Sequence, residues 1–314
     1  MSENLKNALG REAAYPLANV HKTPPQYGAI TPKWLTKFLE FKGLDSGVYR
    51  VNRVVEGDTP LDVLCSQDPT KEEIPEGYIQ YDEKPREYRL NAVSTILNVD
   101  TIVEDVYSSP YDQTEEQLKL AVESLRERQE SQLINNDDYG LLKNIAESQH
   151  IRPIGDAPTP DDLDELISKV WKEPSFFLAH PRAIAAFERE CTRRGVPPVT
   201  ENLHGGTFVT WRGIPLIPTD KLFVDGLKNP KSKSGKTNIL LVRTGENKRG
   251  VIGLYQNNLP GGQPRGLAVR FRGVNDNGVA SYLLSLYCSA AILADDAIAV
   301  LEDVEVGEYH DDKR

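Results

Sequence analysis

Apolar side chains are distributed along this chain in three different ways. Residues 1–35 are mostly polar, with prolines at 16, 24, 25 and 32. Pro24-Pro25 and Thr31-Pro32 hold the backbone extended and block a long helix. Tyr15, Leu17, Val20, Tyr27 and Ile30 are spaced singly through this stretch. They are too few to build a core and too large for a free linker, so the segment reads as an arm laid on another surface. From Gly47 to Tyr107 the pattern turns β-branched and aromatic: Val48, Val51, Val54 and Val55, then Tyr78–Tyr81, Tyr88–Val93, Thr95–Val99 and Thr101–Val103. This predicts strands. The polar stretch Gln67–Lys84, with Pro69 and Pro75, makes them a ribbon with a charged tip. A two-stranded ribbon is marginal alone in water and needs a neighbour.

Helical spacing follows. Asp112 or Thr114 can cap a helix running to about Leu133, with Glu115 or Gln117 completing the cap and Leu118, Ala121, Val122 and Leu125 as its apolar stripe. Glu123 with Glu127, and Arg126 with Glu130, are expected on its exposed sides, only the second pair attractive. A second helix opens at Thr159-Pro160-Asp161-Asp162, with Leu163, Leu166, Ile167, Val170 and Trp171 as one buried face. A third follows His180-Pro181, turns Ile184, Phe187 and Cys191 inward, and stops at Gly195. Strands then return at 207–211 and 214–217 around Arg212-Gly213, at 238–243, 250–255 and 267–271, and at 297–301 after a turn at Asp295-Asp296. Residues 280–293 are too long and apolar a run for an edge strand. The order is that of an α+β chain without internal repeats.

Composition narrows the function. The 314 residues carry 47 acidic and 37 basic side chains, a net charge of -10, which argues against a surface built to coat nucleic acid or anionic lipid. No run reaches 18 apolar residues, and the N-terminus has neither a basic nor an apolar signal region, so a cytoplasmic protein with no membrane partner is expected. The three cysteines, Cys65, Cys191 and Cys288, are distant and unpaired in pattern, and read as free thiols. Cys65, in the ribbon, is the one candidate for reactivity.

Local signatures of catalysis are lacking. No GxSxG, HExxH, CxxC or GxGxxG occurs. Gly235-Lys236-Thr237 ends like a P-loop, but Pro230 stands where its first glycine belongs, so a solvated basic loop before a strand is the better reading. His21, His150, His180, His204 and His310 are scattered, and His180 reads as a neighbour of a helix cap. The carboxylate pairs Asp161-Asp162, Asp295-Asp296 and Asp311-Asp312 read as a cap, a turn and a solvated tail. No catalytic, metal-ligating or cofactor-binding residue is assigned.

Several stretches carry a likeness instead: ITPKWL (30–35), KPREYRLNAV (84–93), LRERQESQLINN (125–136), the block 157–198, TWRGIPLIPTDK (210–221) and LYCSAAILADDAIAVLEDVE (286–305). With the order arm, ribbon, long helix and mixed sheet, the chain resembles the family 2 encapsulins, bacterial shell proteins with the Hong Kong 97 phage capsid fold. The resemblance implies a structural shell, not an enzyme: an icosahedral homo-oligomer of minimal size enclosing a cysteine desulfurase in sulfur metabolism. No cofactor belongs to the shell, and PLP belongs to the cargo. Lacking a spare hundred-residue segment, the chain resembles the branch without a cyclic-nucleotide-binding insertion. The implied divisions are an N-terminal arm (1–40), an extension loop (47–100), a peripheral domain (101–180 and 281–314) and an axial domain (181–280). By the same analogy Thr200, Glu201, Asn202, Leu203, His204, Gly205 and Gly206, after the third helix, form a loop at a five-fold pore; an ordinary turn is the alternative. A DNA-packaging phage capsid and an enzyme with a dispersed site stay open as rival readings.

Overall fold

The computed structural model describes residues 27, 31–52, 64–65, 73–100, 113–225, 235–259, 262–263 and 265–307. In chain order its elements are helix α1 (Trp34–Phe38), strands β1 (Phe41–Leu44), β2 (Val48–Val51), β3 (Arg86–Arg89) and β4 (Asn91–Asp100), and the long helix α2 (Gln113–Asn135). Then come β5 (His150–Ile151), α3 (Pro160–Lys169), β6 (Phe176–Ala179), α4 (Pro181–Arg193), β7 (Val199–Leu203), β8 (Gly206–Trp211) and β9 (Ile214–Pro218). The chain closes with β10 (Lys236–Val242), β11 (Val251–Gln256), β12 (Gly262–Gln263), β13 (Leu267–Val274), β14 (Val279–Ile292) and β15 (Ile298–Glu305). The α+β expectation holds.

Two sheets organise the molecule. In the first, β14 is flanked by β4, in register from Val279↔Asp100 to Cys288↔Asn91, and by β13, which pairs over 280–286; β11 takes over from Cys288 to Ile292. Strand partners on both edges explain why 280–292 is so apolar. Leu267, Leu284, Leu286 and Cys288 turn one face onto Ala121 and Leu125 of α2, so the helical stripe read from sequence is a packing face.

The second sheet runs β5-β15-β10-β6-β9-β8-β7 and draws on segments 101–180, 181–280 and 281–314 together. Its centre is buried on both faces. Phe176, Leu178, Leu240 and Val242 meet α1 and the end of α2, while Phe177, Ala179, Ile239 and Leu241 meet α3 and α4. Alternate residues thus serve two cores, which is why β6 is apolar at every position.

Local signals place the helices. Thr159 caps α3: its Oγ1 accepts the Asp162 N–H, and the Asp162 carboxylate accepts the Thr159 N–H. His180 is itself the cap of α4, its Nδ1 accepting the Arg182 N–H at 3.1 Å. Burial, aided by the Arg182 cation, pulls the imidazole below its ordinary pKa range and leaves Nδ1 free to accept.

Four expectations need correction. Trp171 is 68% exposed: α3 ends at Lys169 and Val170 leaves helical geometry at φ -108°, so the next position no longer lies on the buried face. Glu130 is 1% exposed rather than solvated, because α1 packs over that side of α2. Thr114 is the second residue of α2 and not its cap. Tyr78–Gln80 form no strand, and only Tyr81 makes a bridge. The ribbon keeps its base, where β2 pairs β3 and Tyr49, Tyr88 and Leu90 rest on Leu44, Ile252, Leu254 and Ala291 of the same chain. Asp112, Tyr15, Leu17, Val20, Ile30, Val54, Val55, Thr101–Val103, Gln67–Glu72, His21, His310 and Asp311-Asp312 lie outside the described residues.

Candidate functional site

The seven residues expected to form a loop are a β-hairpin. Thr200–Leu203 belong to β7, Gly206 begins β8, and Leu203↔Gly206 is the closing pair. The expectation of a loop over all seven is therefore corrected: only His204 and Gly205 turn. Their φ values, 49° and 79°, are both in the left-handed region, the pattern of a two-residue hairpin turn whose twist matches its strands. VTENL carries no apolar alternation, so its strand state comes from cross-strand pairing rather than from burial.

Side chains then fix the hairpin in place. The Thr207 hydroxyl donates to Asn202 Oδ1 at 2.6 Å and the Thr210 hydroxyl to the Val199 carbonyl at 3.1 Å. His204 is exposed, and its ring sits edge-on to Phe38 of α1 at 4.6 Å. Gly206 lies under two rings: a Cβ there would stand 2.9 Å from both Trp34 and Phe208. Gly205 has open space around it and is needed for its φ alone. Thr200, Glu201, Asn202 and Gly205 face solvent, and β7 is the last strand of its sheet. The hairpin is thus a polar finger whose turn end is clamped by α1.

Beside that clamp lies a partly buried charge cluster which sequence spacing did not reveal. Lys221 Nζ contacts Glu127, Asp220 and the Thr31 hydroxyl, and the same hydroxyl donates to Glu127 at 2.7 Å. One turn along α2, Glu130 Oε1 accepts the Leu35 N–H at 2.8 Å. Lys33, at the start of α1, makes no side-chain cap, so Glu130 supplies the missing acceptor from another helix. Desolvation pushes the Glu130 carboxyl up to about 7; the Leu35 N–H and Lys221 oppose the rise, Glu127 and Asp220 add to it. Burial alone would lower the Lys221 pKa, but its bonds to Asp220 and Glu127 outweigh this and raise it. Only the i, i+4 relation of Arg126 and Glu130 was visible in sequence; the partners at 31, 35 and 221 are tertiary.

The remaining sequence candidates have structural roles. Asp296 accepts from Arg243 Nη2 at 2.7 Å and from Lys172 at 3.0 Å, so half of the predicted turn is the counter-ion of a fully buried guanidinium. His150 pairs with Glu302 at 2.8 Å. Cys191 and Cys288 are buried, and burial pushes both thiols up to about 11. Cys65 is exposed. Lys236 and Thr237 start β10, a strand where a phosphate loop would need a helix, and Lys231–Ser234 lie outside the described residues. Among the described residues no three His, Cys, Asp or Glu side chains converge as a metal site, and no helix is long and apolar enough to cross a membrane.

What the described surface does offer is apolar contact area. Ile74, Tyr78, Ile79 and Tyr81 are 68%, 90%, 53% and 64% exposed within one short stretch. Such clustering on a chain with an acidic, hydrophilic balance marks a surface made for another molecule.

Comparison with known proteins gives that surface a context. Residues 50–308 match the family model of the SrpI-like type 2A encapsulin shell proteins. The type 2A encapsulin shell protein SrpI of Synechococcus elongatus is 54% identical over 303 residues, which cover 96% of each chain. The cryo-EM structure of the holo-SrpI encapsulin complex from Synechococcus elongatus superposes with a TM-score of 0.81 at 52% identity, over 98% of this chain and 100% of that one. The capsid protein of a native GTA particle, 11% identical, shares the fold alone, with a TM-score of 0.60 over 96% and 99% of the two chains. The architecture is that of the Hong Kong 97-like capsid proteins. On these matches, which extend over nearly its whole length, the chain belongs to the type 2A encapsulin shell proteins.

Proposed function

We propose that copies of this chain close into a minimal icosahedral shell in the bacterial cytoplasm and enclose a cysteine desulfurase, whose PLP stays with the cargo. The observation that carries this reading is full-length likeness, above half identity, to a shell protein solved as a holo complex. Residues 47–100 form the extension loop; its base stays on its own subunit, and the part beyond the base reaches across a neighbouring copy, where Tyr78 and its apolar companions lose their contact with water. Residues 1–40 act as an arm, residues 101–180 and 281–314 as the peripheral body, and 181–280 as the part gathered around each five-fold axis. There the hairpin Thr200–Gly206 lines the opening, with exposed His204 at its tip. In this reading the shell performs no chemistry; it sets what reaches the enzyme inside and what leaves.

Light scattering on a sizing column tests the first half: a closed shell of identical chains has a mass of about 2 MDa. Absorbance and mass spectrometry of the same peak test the second half. A yellow PLP protein inside the particle is the expected result after expression in the native host. A peak of one to four chains would remove the compartment, and nucleic acid in place of the PLP protein would replace the cargo reading with genome packaging.

A further inference from the structure

The hairpin clamp and the charge cluster meet in one short element. α1 has five residues, too few to hold a helix together unaided, so its place is set by what it touches. On one side Leu35 is fully buried and its N–H ends on Glu130 Oε1 of α2. On the other, Trp34 and Phe38 stand edge-on to Phe208 of β8 at 5.0 and 5.5 Å, and Phe38 reaches His204 at the hairpin turn. A shift of α1 away from α2 therefore takes both rings off the hairpin. Among the described residues β7 is the last strand of its sheet, so no outer strand holds the hairpin once α1 has moved.

The seat of α1 on α2 is crowded with acid groups. Glu127 acts on Glu130 from the same helix, and Asp220 and Lys221 act on it from the segment after β9. From α1 comes the Leu35 N–H, while the ammonium of Lys37 is turned onto the Trp34 ring at 4.2 Å. His180, at the cap of α4, faces Asp220 in turn. With Glu127, Glu130 and Asp220 all ionised, three carboxylates would share the field of Lys221, and Glu130 is only 1% exposed. One proton relieves this. Desolvation, above all other causes, lifts the Glu130 carboxyl to about 7, so the proton sits there. Lifting α1 returns the group to water, where a carboxyl gives up its proton readily.

We propose that Glu130 is the proton-sensing end of a clasp: with its proton on, it seats α1 and α1 seats the hairpin; with its proton gone, α1 lifts more readily and the hairpin with it. The sign follows from linkage. The open form ionises near 4.5 and the closed form near 7, so opening becomes easier as pH rises between these values and levels off above them. Glu130 and the hairpin make no direct contact in this account; the α1 backbone and its two rings carry the change between them. The inference stands on contacts within one subunit and does not depend on the shell reading.

The test is hydrogen exchange of the purified protein at pH 6 and pH 8, read by mass spectrometry and corrected for intrinsic rates. The expected result is exchange on the order of tenfold faster at pH 8 in peptides spanning 34–38 and 199–211, with 176–179 at the sheet centre unchanged. Glu130→Gln, which cannot ionise, should exchange alike at the two pH values in both places. A histidine titrates in the same range, so His204 is the rival origin of such an effect. His204→Asn, chosen because asparagine tolerates the left-handed backbone, should keep the difference. Equal exchange of the parent at both pH values would overturn the proposal, as would a difference that survives in E130Q or one confined to 34–38 with the hairpin unmoved. Should E130Q fail to fold, the parent and H204N carry the test: a difference lost in H204N places the proton on the hairpin and overturns the clasp.

Discussion

Glu130 shows how a single residue couples the N-terminal segment to the body. Its carboxyl has a folded-state pKa of about 7 against an ordinary value of 4.5. The folded protein thus binds this proton more tightly than the unfolded chain does. The contribution is fully present below about pH 4.5 and is lost as pH rises through 7. Glu130→Gln keeps an acceptor for the Leu35 N–H and removes the buried charge. Lys221 retains Glu127 and Asp220 as partners, so it is not orphaned. E130Q is expected to be more stable than the parent at pH 8, by on the order of 2 kcal/mol, and no more stable at pH 5. Thermal unfolding at the two pH values checks this, and equal gains at both would show that the proton is not involved. Glu130→Ala should destabilise at both, by about 1–3 kcal/mol, because it leaves the Leu35 N–H buried without an acceptor. Sequence could not foresee this role. The i, i+4 rule reports neighbours on one helix, and the residue that matters lies 95 positions earlier.

At the scale of elements, the signals that proved legible are those completed within a few residues. The cap and N1 proline at Thr159-Pro160, the apolar face of α4 and the stripe on α2 were all visible as local spacing. The long apolar run 280–292 announced a central strand for the same reason. The hairpin was not legible, because Val199–Leu203 is polar and is a strand only through pairing with β8. Trp171 was misplaced because periodicity carries no stop signal where α3 unwinds at Val170. The two glycines of the hairpin now separate by mechanism. Gly205→Ala forces a Cβ into left-handed backbone in open space, at a cost of about 1–2 kcal/mol. Gly206→Ala meets Trp34 and Phe208 at 2.9 Å and must move α1 or the hairpin, about 1–3 kcal/mol. Combining each with Trp34→Ala distinguishes them. The G206A loss should shrink in that background and the G205A loss should not, as a double-mutant cycle of unfolding midpoints would read.

At the scale of the whole molecule, what the sequence exposed most clearly was a deficit. An arm and a ribbon with large apolar anchors had no core of their own, and the structure meets that need only in part. The ribbon base rests on the chain's own first sheet through Tyr49 and Tyr88, and the end of the arm packs through Leu35 into the core of the second sheet. Beyond the base, Ile74, Tyr78, Ile79 and Tyr81 remain in water. A shell protein can carry such a surface because every copy meets the same neighbours, so each contact is repeated throughout the particle. Tyr78, at 90% exposure, makes almost no contact within its own subunit. Tyr78→Ala should therefore leave the circular dichroism and the subunit's unfolding midpoint unchanged, since it removes nothing from the core. In the proposed interface it would remove an aromatic anchor, a kind of truncation that typically costs about 2 kcal/mol or more at a contact centre. A loss of that size is roughly a thirtyfold weakening of each contact. Because a closed particle forms many such contacts at once, the variant is expected to need far higher protein concentration to assemble, with free subunits eluting where the parent runs as a particle. Ile154→Ala, beside the start of α3 and 81% exposed, offers a control. Equal particle yields for Tyr78→Ala and the parent across a concentration series would show that Tyr78 is not an interface anchor.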